Sequence, residues 1–126
     1  MISLSQEARV RRRVVIVTIN EYQKLAMTTL NPEIDKKGIL VNSVMGLCGE
    51  SGEVVDMVKK HLFQGHALDK EKFAKELGDI AWYLAEAATA IDIPLESIFE
   101  GNIDKLKKRY PEGFDTEKSL NRSPEE

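Results

Sequence analysis

The stretch ILVNSVMGLCGESGEVVDMVKKHL, residues 39–62, decides the fold class. Its apolar positions Leu40, Val44, Leu47, Val54, Val55, Val58 and Leu62 keep mostly to the three- and four-residue steps of a helix face. Gln64-Gly65-His66 breaks the pattern, with Gly65 suited to a helix C-terminus. Beyond it, Asp69 can cap a second helix over about 70–91, with Phe73, Leu77, Ile80, Ala81, Leu84, Ala88 and Ile91 on one face. Pro94 suits the first turn of a last helix that runs to about Tyr110 and is stopped by Pro111 and Gly113. Upstream, Thr18-Ile-Asn-Glu21 fits a capping box for a helix over about 19–30, which Asn31-Pro32 ends. Residues 35–38 read as a polar connection. Four helices of period 3.6 predict an all-α, four-helix bundle-like domain. Only Val14–Val17 reads as a strand.

Length and composition bound the rest. A chain of 126 residues suits one domain. With 42% hydrophobic and 31% charged residues it reads as a globular protein. A net charge of −3 gives no general attraction to nucleic acid or an anionic membrane. No apolar run is long enough to cross a bilayer. The single cysteine, Cys48, excludes an internal disulfide, so a cytoplasmic setting is expected. Residues 1–17 form an extension, an arm or a strand, in which Arg9–Arg13 precede the short apolar run. They lack the longer apolar region and cleavage site of a signal peptide, and the basic cluster alone is a weak nucleic-acid signal. Residues 18–115 are the helical domain, and 116–126 a polar, frayed tail.

One pattern occurs twice. Glu50-Ser-Gly-Glu53-Val-Val is followed 26 positions later by Glu76-Leu-Gly-Asp79-Ile-Ala. On a helix, acids three residues apart share a face. In each copy that face lies roughly 110° from the centre of the apolar stripe, beside the core rather than opposite it. Two such helices paired antiparallel would bring four carboxylates together, and a hard divalent cation would relieve their repulsion. Acid pairs at this spacing also arise by chance on solvated helix surfaces, but the repetition, the shared offset and the matching glycines favour a site. Glu50, Glu53, Glu76 and Asp79 are therefore the expected metal ligands, for Mg²⁺ or Mn²⁺ in its place. His61 and His66 do not follow a Glu by three positions, so the Glu-x-x-His pairs of a di-iron bundle are absent. Both are read as structural or peripheral. No zinc spacing, P-loop or nucleophilic triad is evident.

From Glu21 to Phe114 the chain resembles the MazG-like nucleotide pyrophosphohydrolases of the all-α NTP pyrophosphatase superfamily. ExxE on one helix, ExxD on the next, the segments KKHLFQGH and ELGDIAWYL, and a terminal KLKKRYP carry the likeness. It implies a MazG-type fold and hydrolysis of a nucleoside triphosphate to the monophosphate and pyrophosphate. It also implies the four acids as metal ligands and assembly as a homodimer or homotetramer. The first 17 residues have no counterpart in the pattern.

The last helix bears on substrate. Asn102, Lys105 and Arg109 share a face beside its apolar stripe and could hold phosphate or sugar oxygens. A solvated basic C-terminal turn is the plainer reading, preferred for Lys107 and Lys108. Tyr83, one turn after Asp79, could bond a phosphate or stack on a base, or simply pack. Gln23 could reach the nucleotide from the first helix. Trp82 points away from both stripes, as at an oligomer interface. The expected chemistry is attack of an activated water on the α-phosphorus, with Glu50 or Glu53 taking its proton. The alternative is a helical oligomer without catalysis, an interaction protein that binds a metal or nucleotide.

Overall fold

The computed structural model describes residues 17–124, so the strand expected at 14–17 lies, save Val17, outside the described residues. Five helices occur in that span: α1 (Ile19–Met27), α2 (Lys36–Phe63), α3 (Lys70–Ala90), α4 (Leu95–Arg109) and α5 (Thr116–Leu120). No strand is present among the described residues, and the domain is all-α as expected.

Local chemistry sets the boundaries. The capping box forms: Glu21 N–H donates to Thr18 Oγ1 at 3.2 Å, and Thr18 N–H donates to Glu21 Oε2 at 3.0 Å. Helix α1 stops at Met27, short of the expected Leu30. The hydroxyls of Thr28 and Thr29 there donate back to the carbonyls of Leu25 and Ala26. Helix α2 begins three residues before Ile39 because Asp35 accepts from Gly38 N–H at 2.7 Å, so the polar connection expected over 35–38 is a helix start. It ends where Gly65 adopts φ +72° and His66 N–H turns back to the Lys60 carbonyl. Asp69 caps α3 through Lys72 N–H. At the other end Asp92 takes φ +56° and Ile93 N–H returns to the Ala88 carbonyl, a six-to-one closure that Pro94 then terminates. The C-terminal segment differs from expectation. Asp115 accepts from Lys118 N–H at 3.0 Å, and that cap turns 116–120 into helix instead of a frayed tail.

Helix α3 is the hub. It pairs with α2 and also receives α1 and α4, which touch each other. The α2–α3 pair is antiparallel and in register: Lys36 meets Asp92, Asn42 meets Glu86, and Gly46 meets Tyr83. Ala85 and Ala88 of α3 and Leu95 of α4 form the buried core, with Ile19, Tyr22, Ala26, Met27, Leu84 and Ile98 packed on it. Gln23 joins three elements. Its Nε2 donates to Thr89 Oγ1 at 3.1 Å, and its Oε1 accepts from Leu95 N–H at 2.7 Å. It is thus spent on the start of α4. Trp82 is half-buried and spent too: its indole N–H is shared by the Ala26 carbonyl at 2.9 Å and Thr29 Oγ1 at 2.8 Å. Within the chain it docks α1.

Helix α2 is covered on one side only. Of the apolar stripe expected to face the core, Leu40, Val44, Val55 and Leu62 remain exposed, Val55 by 65%. Val41 and Met45 are exposed beside them. The only fully buried residue of α2 is Ser43.

Candidate metal centre

Two turns along the seam from Asn42–Glu86, the register brings Glu50 of α2 against Glu76 and Asp79 of α3. One carboxylate oxygen from each lies within 4.8 Å of the other two. Glu50 and Glu76 are half-buried, Asp79 exposed. Oxygens on an octahedral Mg²⁺ are about 2.9 Å apart when adjacent and about 4.2 Å when opposite, so the three would close in on a shared ion. The electrostatics agree. The Glu50 carboxyl is pushed above the ordinary carboxylate range, first by desolvation, then by the charge of Asp79 and the adjoining carboxylate of Glu76. A bound cation would relieve that crowding. The donor set, all carboxylate oxygen, suits a hard divalent ion.

Glu53 stands apart. It is exposed and outside the three-oxygen cluster, though its charge reaches Glu50. It opens instead onto a recess at the hairpin end, beside Asp56, Lys60, His66 and Lys72. There Asp56 accepts ion pairs from Lys60 at 2.7 Å and Lys59 at 3.2 Å. These bonds hold Asp56 below the ordinary range and Lys60 above it. His61 Nδ1 lies 2.8 Å from the His66 carbonyl oxygen and braces the turn, in keeping with a structural role.

A profile of the MazG nucleotide pyrophosphohydrolase domain matches residues 42–114, a span that holds all four acids. The chain belongs to that family. Among curated proteins, the Gene 37 protein of Mycobacterium phage L5 is 36% identical to this MazG chain over 73 residues. The match covers 55% of the chain and 64% of that relative, so the chain spans less than two thirds of the relative's length. No solved structure matches significantly.

The other expected residues of the MazG domain are scattered. The Tyr83 ring lies on Gly46 of α2, where no Cβ would fit, and meets the Trp82 ring edge-on at 5.0 Å. It closes the seam one turn from the cluster. Asn102 and Lys105 are exposed on α4, and no hydrogen bond or ion pair joins them to the carboxylates among the described residues. Arg109 lines a recess between α4 and α5 with Lys108, Pro111, Glu117 and Lys118. Sequence reasoning overlooked Tyr22. Burial and the charge of Asp79 push its hydroxyl above the ordinary range, which places α1 beside the site. Its neighbour Gln23 was singled out, but only the packing of α1 on α3 tells which of the two turns toward Asp79. No helix of the described residues is long and apolar enough to cross a membrane.

Proposed function

We propose that this MazG chain is a Mg²⁺-dependent nucleoside triphosphate pyrophosphohydrolase that yields the monophosphate and pyrophosphate. The observation that carries the reading is the convergence of Glu50, Glu76 and Asp79 across the α2–α3 seam, in a chain of this family. These three would hold the cation, with Mn²⁺ an acceptable substitute and Glu53 within reach as a further ligand. A divalent ion there supplies Lewis acidity toward phosphate oxygens and lowers the pKa of a water. Glu53 is the best-placed base. It sits one turn from Glu50, outside the cluster, and can take the proton as water attacks the α-phosphorus. Pyrophosphate leaves with the electrons of the α–β bridging bond. Tyr22 and Tyr83 flank the cluster on the side away from the hairpin turn and can contact the nucleoside. Asn102, Lys105 and Arg109 can serve the phosphates if the helices that carry them meet the site in an assembly.

Assembly is part of the proposal. The uncovered apolar face of α2 calls for a second copy in a dimer or tetramer. The lone Cys48 and the absence of a disulfide among the described residues fit the cytoplasm.

The test is a panel of NTPs and dNTPs with Mg²⁺, read by product identity. Pyrophosphate is expected, with single phosphate absent. Glu50→Gln and Asp79→Asn should each cost more than the roughly 10–100-fold typical of outer-shell changes at metal sites. A panel that yields no pyrophosphate, or activity that survives both substitutions, overturns the reading.

A further inference from the structure

Glu86 is completely buried, yet it plays no part in the chemistry above. Among the described residues its one hydrogen-bonding partner is neutral. The Asn42 amide donates to both carboxylate oxygens, at 2.8 and 3.0 Å, across 44 residues of sequence. A charged group is an expensive choice for an interior when a leucine would fill the space. What the pair provides is uniqueness of alignment.

The α2–α3 seam needs such a device. Helix α2 buries no apolar side chain fully, and the positions it does present to α3 include Ser43 and Gly46. Apart from the Tyr83 ring seated on Gly46, this face of small residues has little to interlock, and it slides more easily than one of large side chains. A further polar contact along the seam, Lys36–Asp92, is largely exposed at both ends and contributes little. A slip of one helical turn displaces Asn42 by about 5.4 Å. That leaves the Glu86 carboxylate buried with no donor, which is strongly unfavourable. The correct alignment is also the one that sets Glu50 against Glu76 and Asp79, and the crowding of those carboxylates works against it. We propose that Asn42 and Glu86 form a register lock that holds the carboxylate site assembled before a cation arrives. Both are positioning residues. Their functional consequence rests on the metal reading above; the alignment itself does not.

Two measurements separate these. The first uses spin labels on Lys59→Cys and Lys75→Cys, both exposed, in a Cys48→Ser background without metal. The parent should show one narrow distance, as should Glu86→Gln, whose amide can still accept from Asn42. Asn42→Leu with Glu86→Leu should fold and melt at or above the parent temperature, yet show a broadened or second distance. If the leucine pair does not fold, Asn42→Ala with Glu86→Ala serves in its place. The second is Mn²⁺ affinity, which should fall at least roughly 10-fold in the apolar pair and stay near the parent value in Glu86→Gln. An unchanged narrow distance in the apolar variant overturns the lock, whatever the affinity does. A parent that takes up no Mn²⁺ defeats the metal reading, and the distances still decide the lock.

Discussion

Glu50 carries the most informative electrostatics in the chain. Its carboxyl is raised above the ordinary value by desolvation and by neighbouring negative charge. The metal-free fold therefore loses stability as pH climbs from the ordinary glutamate value through the raised one. Asp56 has the opposite sign: its lysine bonds depress it, and what they contribute is lost as pH falls through the lowered value. Cation and proton compete for Glu50. Thermal stabilisation by Mg²⁺ or Mn²⁺ should accordingly be large at neutral pH and fade as acid protonates Glu50. Melting curves with and without metal across that range check it; an equal gain at acid and neutral pH would exclude Glu50 as a ligand. At this scale much was visible beforehand. Acids three apart on a helix share a face whatever that helix packs on, so Glu50, Glu76 and Asp79 could be named. That Glu53 falls outside the cluster could not, because it depends on how two helices lie against each other. Tyr22 escaped for the same reason.

At the scale of elements, most ends were readable, while the packing of faces was not. Thr18, Asp69 and Gly65 act on backbone within a few residues, so their signals survive without tertiary context. Asp35 and Asp115 act the same way, on Gly38 N–H and Lys118 N–H. Periodicity told which residues of α2 are apolar, but not that much of the stripe lacks a neighbour within the chain. Two substitutions probe the joints. Gln23→Ala removes both of its bonds, to Thr89 and to Leu95 N–H, and should cost about 1–3 kcal/mol in denaturant unfolding. Gly46→Ala should push the Tyr83 ring off α2 and lower the melting temperature, since overpacking of this kind costs about 1–3 kcal/mol. A neutral result there would mean that the seam yields freely.

For the whole molecule, the open face of α2 is the dominant fact. Val41 and Met45 lie one turn apart on it, 42% and 69% exposed. Val41→Asp with Met45→Glu should shift light-scattering mass toward the monomer while leaving the helical signal intact. A parent that is already monomeric at micromolar concentration would end the argument for a second copy. Activity measured on the same samples would tell whether a single chain suffices.

The reach of Gln23 and Trp82 has a consequence for where this domain can be cut. The span that matches the family starts at Asn42, inside α2, and leaves out α1 altogether. Yet α1 provides the donor-acceptor group that seats the first residue of α4, one acceptor for the Trp82 indole, and part of the cover over Ala85 and Ala88. The stretch by which kinship is recognised is therefore smaller than the stretch that packs together. A fragment trimmed to the matched span would begin inside a helix and leave those partners bare. Shuffling this module into another protein would have to carry the nine residues of α1 along with it.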